Sequence, residues 1–241
     1  MTPMAISCGS VKIVHATGIT GAQHARGVVV VIDVLRSFTV SAYALAGGAR
    51  ESLLVTTVDE ARALSREIPD SVVCAEEDAL PVDGISISNS PTQISALDLT
   101  GKTLIQRSSA GTPVMAAVGE SEAMFAGSLV VARPTAQACL LREPSAVTLV
   151  ASADYPEDHA CAWYIEALLT GRGVDGLDAW LEPLRLSDRY RRIQAGQWPG
   201  FPPSDLELSL QPNRFDFAMP VTRHGGYLRV TREGNQNSQL G

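Results

Sequence analysis

Four apolar segments of this chain each run straight into residues capable of chemistry. Val28-Val29-Val30-Val31-Ile32 leads into Asp33-Val34-Leu35-Arg36-Ser37, and Val72-Val73-Cys74-Ala75 leads into Glu76-Glu77-Asp78. Thr103-Leu104-Ile105-Gln106 leads into Arg107-Ser108-Ser109-Ala110-Gly111-Thr112, and Val147-Thr148-Leu149-Val150-Ala151 into Ser152 and then Glu157-Asp158. Carboxylates suit a hard divalent cation, whereas an arginine and a Ser/Gly/Thr loop suit an anion. If the four segments are parallel strands, their carboxyl ends gather both chemistries in one crevice, where open α/β sheets bind ligands.

Each residue also has a plainer reading. A carboxylate that ends an apolar strand, as Asp33 does, is desolvated unless it caps the next helix, pairs with a cation such as Arg36, or binds metal. Arg36, at the start of the following helix, can hold a phosphate or sulfonate with the free amides of that turn, or can simply partner Asp33. Glu76, Glu77 and Asp78 cannot all be buried without a cation, because like charges raise each other's cost of ionisation. Glu76 lies nearest the strand and is the functional candidate; Glu77 and Asp78 fit a solvated turn. The Ser108–Thr112 loop lets backbone N–H groups approach an anion, but an ordinary βα turn has the same composition. That loop is not a Walker motif. Asn89-Ser90-Pro91 reads as a turn and helix start, or as a ligand anchor. Glu157-Asp158-His159 opens the longest helix, where acidic residues also complement the dipole. The four histidines have no metal-ligand spacing, which argues against zinc.

The elements that must position these residues alternate. Short, continuously apolar, β-branched segments, typical of strands covered on both faces, are separated by helical patterns from about residue 11 to 173. Helices are expected over Ser37–Ala46 (stopped by Gly47-Gly48), Val58–Ile68, Thr112–Val118, Pro134–Leu141 and Glu157–Leu169. Repeated βα units imply an α/β fold, a mostly parallel sheet with helices on both faces. After Gly173 the texture changes. Leu177–Gln194 reads as one amphipathic helix with Arg189, Arg191 and Arg192 near its end. Ser204 and Glu207 have the spacing of a capping box, and Phe215–Val221 and Tyr227–Val230 suggest a hairpin about His224-Gly225-Gly226. The expected organisation is one domain over 1–241: a core over about 10–173, a C-terminal helical and hairpin appendage over about 174–233, and a frayed tail over 234–241.

Bulk properties bound the partners. A hydrophobic fraction of 45% supports a large core rather than disorder. The net charge of -7 offers no general attraction to nucleic acid or to an anionic membrane. An anionic substrate therefore needs a local basic spot. Four scattered cysteines form no CxxC pair, and Cys74 and Cys139 read as buried thiols. Neither a signal-type start nor an apolar run of spanning length is present, so no membrane and a cytoplasmic location are expected. Trp163, Trp180 and Trp198 fit a core or a homodimer interface equally well.

In order along the chain, Val31-Ile32-Asp33-Val34-Leu35-Arg36-Ser37, Asn89-Ser90-Pro91, Gly101-Lys102-Thr103-Leu104 with Gly111-Thr112, Gly127-Ser128-Leu129, Glu157-Asp158 and Cys161-Ala162 resemble the 2-phosphosulfolactate phosphatase family of coenzyme M biosynthesis. The resemblance spans roughly residues 10 to 230. It implies an α/β fold and magnesium-dependent hydrolysis of a small anionic phosphorylated acid, (2R)-2-phospho-3-sulfolactate, to 3-sulfolactate and phosphate. On that reading Asp33, Arg36 and Glu157 are catalytic, and Asp33, Glu76 and Asp158 hold the metal directly or through waters. Ser37, Asn89, Ser90, Ser108, Ser109, Gly111 and Thr112 then bind substrate. The chain departs from the family pattern at Ala75-Glu76-Glu77, where Gly-Glu-Arg is usual, and at Ser108–Pro113, where the family has Thr-Thr-Asn-Gly-Thr-Arg or close to it. Ser86 and Ser88 stand where an Asp precedes Asn-Ser-Pro. Arg107 and Arg133 are the candidates to replace the two lost arginines. The departures keep a second expectation beside the first: a diverged, non-catalytic anion-binding protein on the same fold.

Overall fold

Five successive β-branched residues with no exposed surface make β2 (Val28–Ile32) a strand enclosed on both faces, as the sequence pattern requires. The computed structural model describes residues 11–234, so Cys8 and the tail beyond Gly234 lie outside the described residues. Around β2 the chain forms β1 (Lys12–Thr17), α1 (Gly18–His24), α2 (Ser37–Ala46), β3 (Glu51–Val55), α3 (Val58–Glu67), β4 (Ser71–Glu77) and β5 (Leu80–Pro81). Then follow α4 (Pro91–Ser95), β6 (Thr103–Arg107), α5 (Gly111–Ala117), β7 (Ala123–Gly127), α6 (Ala132–Leu140), β8 (Ala146–Ala151) and α7 (Pro156–Thr170). The remainder comprises α8 (Leu177–Arg185), α9 (Asp188–Gln194), α10 (Ser204–Ser209), β9 (Phe217–Ala218), β10 (Pro220–His224), β11 (Tyr227–Val230) and β12 (Glu233–Gly234). The fold is α/β with a large, mostly parallel mixed sheet, as the alternation of patterns implied.

The ten-stranded sheet has the order β1-β8-β2-β7-β10-β11-β3-β6-β4-β5. The first four strands are parallel to one another, and so are β3, β6 and β4. The hairpin expected about Gly225-Gly226 is present, but it is central: β10 and β11 join the two parallel groups through three antiparallel pairings. The two groups therefore run in opposite senses along the ladder. A right-handed twist of roughly 20–25° per strand, accumulated over the six steps from β2 to β4, swings the second group well past a right angle. The carboxyl ends of β2, β4, β6 and β8 open on one cavity.

Helix α2 fills the space between the groups. Every residue from Ser37 to Leu45 is buried, so its sequence is apolar or hydroxyl-bearing all round, with no charged stripe. Its hydroxyls are satisfied internally: Thr39 Oγ1 donates to the Val34 carbonyl at 2.8 Å, and Ser41 Oγ to Gln106 Oε1 at 2.6 Å. The core on this side joins α2 with Val29, Leu54, Leu104 and Leu228. On the other face, Val30, Ile32 and Leu149 pack with residues of α6, α7 and α8.

Two local expectations are corrected. The helix read over Leu177–Gln194 is two helices, because Ser187 takes an extended backbone and caps α9 by accepting from the Tyr190 N–H at 3.1 Å. Ser204 does not cap α10, whose N-cap is Pro203; its hydroxyl lies 2.8 Å from Thr92 Oγ1 instead. Cys74, Cys139 and Cys161 are free and buried.

Candidate active site

Asp33 follows β2 directly, and its Oδ1 accepts the Ser37 N–H at 3.0 Å, at the first residue of α2. The N-cap position of α2 is Arg36, so Asp33 is neither the N-cap nor the partner of Arg36 that its plain readings expected. Its Oδ2 carries no hydrogen bond among the described residues and faces Gly111. A Cβ at Gly111 would sit 2.6 Å from Oδ2 and 2.9 Å from the Ser37 Cβ. Glycine is required here because α5 starts against the carboxylate. Gly111→Ala is expected to cost about 1–3 kcal/mol by overpacking, read from the denaturant midpoint; an unchanged midpoint would mean that the carboxyl moves aside freely. Burial raises the Asp33 carboxyl to about 6, with Glu76 and Glu157 adding to the rise and the Ser37 N–H and Arg189 opposing it.

Arg36 is buried and pairs with Asp205, 169 residues away in sequence. Nη1 donates to Asp205 Oδ2 at 3.0 Å and to the Gly200 carbonyl at 2.6 Å, and the guanidinium carbon lies 3.9 Å from the Phe201 ring centre. Nη2 is buried and has no hydrogen-bond partner. Asp205 Oδ1 accepts from Ser90 Oγ at 2.7 Å and from the Thr92 N–H at 3.0 Å. Ser90 also caps α4. Its place is therefore in the scaffold beneath Arg36.

Asp158 uses both oxygens on the backbone behind Asp33. Oδ1 accepts the Val34 N–H at 2.8 Å, and Oδ2 accepts from Ser152 Oγ at 2.7 Å and the Ser152 N–H at 3.2 Å. It fastens the end of β2 to the end of β8. Burial, then Asp33 and Glu157, raise its carboxyl well above the ordinary value. Glu157 is fully buried and turns to Arg189, whose Nη1 donates to its Oε1; its Oε2 has no partner. Arg189 also donates to the Leu35 carbonyl at 3.1 Å and stacks 4.1 Å from the Tyr155 ring centre. Glu157 thus positions an arginine rather than lining the cavity.

Glu76 is buried while Glu77 and Asp78 are exposed, as their distances from the strand suggested. Glu76 Oε1 accepts the Ser109 N–H at 2.5 Å, and Oε2 accepts the Ala79 N–H at 2.6 Å and Ser109 Oγ at 3.1 Å. Oε1, with one donor, keeps further acceptor capacity. Ser108 and Thr112 satisfy one another: the Ser108 N–H donates to Thr112 Oγ1 and the Thr112 N–H to Ser108 Oγ, both at 3.1 Å. Asn89 lines the cavity, and its Oδ1 accepts from Gln106 Nε2 at 2.9 Å. The same nitrogen bonds the Ser37 carbonyl at 2.7 Å, so Ser37 and Asn89 share one buried network.

The cavity has a volume of about 940 Å³ and gathers Asp33, Arg36, Glu76, Asn89 and Ser109, ample for a small ligand. Two of its arginines, Arg189 and Arg192 of α9, were not assigned to the site from sequence. The available signal was their spacing of three, which sets them on one helical face. The candidate replacement donors lie elsewhere. Arg107 is engaged by the Glu76 carbonyl and Ser109 Oγ, and Arg133 borders a separate depression beside Asn213. Among the described residues no three His, Cys, Asp or Glu side chains converge into a metal-ligand cluster, and no helix is long and apolar enough to cross a membrane. Trp163 is partly exposed and packs edge-on against Trp180.

Comparison with known proteins adds an independent line. The family model described as 2-phosphosulpholactate phosphatase matches residues 15–195. A Bacillus subtilis (strain 168) protein named "Probable 2-phosphosulfolactate phosphatase" is 35% identical over 210 residues, covering 84% of this chain and 90% of that protein. A protein of the same name from Carboxydothermus hydrogenoformans is 35% identical over 144 residues, covering 58% of this chain and 60% of the relative. The matched span contains the ends of β2, β4, β6 and β8 and the arginines of α9, so this chain belongs to the 2-phosphosulpholactate phosphatase family.

Proposed function

We propose that the chain is a magnesium-dependent phosphatase acting in the cytoplasm, hydrolysing 2-phospho-3-sulfolactate to 3-sulfolactate and phosphate. The observation that carries this reading is the juxtaposition, in one cavity, of the buried carboxylates Asp33 and Glu76 with the unpartnered Nη2 of buried Arg36. Cation and anion sites side by side suit a phosphate ester.

The donors fit magnesium. Asp33 has a free Oδ2 and Glu76 has spare acceptor capacity. The two repel each other in the absence of a cation. Magnesium is typically held by one or two carboxylates while keeping several waters and substrate oxygens, so a third protein ligand is not required. Asp33 and Glu76 would hold it, and Asp158 would fix the backbone beneath. When bound, the ion supplies charge neutralisation of the phosphoryl oxygens.

The remaining chemistry falls to the chain's own residues. Arg36 Nη2 and Arg189 take phosphoryl oxygens and stabilise the charge that develops there. Water attacks phosphorus, a new O–P bond forms, and the ester O–P bond to C2 breaks. The proton lost by the attacking water is taken up by the departing alkoxide. Glu157 keeps the Arg189 fork aimed.

The test is phosphate release from racemic 2-phospho-3-sulfolactate and from a panel of other phosphorylated acids, with magnesium and with chelator. Release that requires magnesium and favours phosphosulfolactate is the expected result. Release from another acid alone would keep the chemistry and change the substrate. A thermal shift with ligands but no hydrolysis by folded, magnesium-loaded protein would replace this reading with that of a diverged anion-binding protein.

A further inference from the structure

Three arginines line the cavity, and their charges are not equally committed. Arg36 is matched by Asp205 and Arg189 by Glu157. Arg192 has no carboxylate partner among the described residues; the nearby Asp188 pairs with Arg191, and Asp154 with His159. The Arg192 guanidinium instead lies 4.8 Å from the Trp198 ring centre. This stacking fixes its plane and leaves its N–H edges free. Trp198 also lines the cavity. Arg192 stands one turn beyond Arg189 on α9, roughly 4.5 Å further along the helix axis. An uncommitted cation is therefore set off from the phosphoryl end, on the more exposed side.

We propose that Arg192, stacked on Trp198, is the specificity-determining residue of this site and binds the substrate's second strong-acid group, the sulfonate on C3. This inference rests on the phosphatase reading for its substrate, but the subsite itself is an anion site that can be measured by binding alone. A sulfonate is weakly hydrated, carries three equivalent oxygens and is always ionised, so a planar, weakly hydrated guanidinium suits it better than an ammonium would. The site thereby separates acids of like backbone by the group at C3. With the sulfonate present, two anionic ends are held by different arginines; with a methyl group there, Arg192 faces nothing charged.

The experiment compares wild type with Arg192→Gln and Arg192→Lys. The substrates are racemic 2-phospho-3-sulfolactate and 2-phospholactate, which differ only in the sulfonate; the latter is measured as a competitive inhibitor if it is not turned over. In Arg192→Gln the preference for the sulfonated substrate is expected to fall by about tenfold or more, through KM rather than kcat, as for loss of a charge-assisted contact. Arg192→Lys is expected to recover part of it. An equal effect on both substrates, or none on either, overturns the proposal. Calorimetric titration of 3-sulfolactate against lactate separates this from failure of the phosphatase reading. Wild-type protein that hydrolyses neither ester but binds 3-sulfolactate about tenfold more tightly than Arg192→Gln does retains the subsite without the enzyme. Absence of 3-sulfolactate binding, or equal binding by the two proteins, overturns it.

Discussion

Asp33→Asn is expected to abolish measurable phosphate release, lowering kcat by roughly 10²–10⁴-fold or more, while the protein melts within a few degrees of wild type. The two halves of this expectation come from different atoms of one side chain. Oδ1 accepts the Ser37 N–H at the first residue of α2, and an asparagine oxygen serves as well there. Oδ2 faces Gly111 and the cavity, and its negative charge is what a cation needs. An amide at that atom carries no charge and ligates magnesium poorly. Steady-state kinetics with a circular-dichroism melt decides the matter, and a fully active variant sinks the assignment of Asp33.

The same side chain sets opposite pH dependences for stability and turnover. Burial raises the folded Asp33 carboxyl from an ordinary 3.8 to about 6. An acid whose folded value exceeds its unfolded one binds protons on folding, so its contribution to stability is complete below about pH 4 and is lost as pH rises through about 6. Asp158 acts in the same direction. Cation binding needs the ionised form, so turnover at limiting magnesium falls as pH drops through about 6. In Asp33→Asn the Asp33 part of the stability change disappears.

The parts of this site legible in sequence are those fixed within one βα unit. The run Val28–Ile32 ending in Asp33, the helix bounds Ser37–Ala46, and the burial of Glu76 beside exposed Glu77 and Asp78 all follow from local periodicity and distance from the strand end. The partners of those residues were not legible. Arg36 has an acidic neighbour three residues before it, yet its carboxylate is Asp205. Asp33 instead turns its oxygen back onto the helix it precedes, and no local signal reports that choice. Glu157 in a first helical turn looks like a dipole complement; only the docking of α9 beside the turn after β2 shows that it holds Arg189. The hairpin β10–β11 was visible as a hairpin, but strand pairing with segments as distant as Met124–Phe125 and Ser52–Leu54 has no sequence period, so its place between the two parallel groups was not.

The Arg36–Asp205 pair is where that long-range folding carries the largest stability consequence. Both side chains are essentially without solvent contact, at 2% and 0% exposure. Removing one member of a buried pair leaves the other charge desolvated and uncompensated, at a cost of about 3–5 kcal/mol. That is a large share of the roughly 5–15 kcal/mol that holds a domain together. Asp205→Asn is the informative substitution, since its remaining oxygen can still accept from Ser90 Oγ and the Thr92 N–H. It is expected to lower Tm by roughly 10 °C, with the matching shift in a urea titration. Asp178→Asn, which breaks the solvent-exposed pair with Arg185, should cost less than about 1 kcal/mol by comparison. Arg36→Met packs an apolar chain on Phe201 and removes the stranded charge. The double variant Arg36→Met/Asp205→Asn should therefore be less destabilised than the two single costs added together. Simple additivity would mean that the pair is not coupled, and that the C-terminal segment is held over the cavity by packing alone.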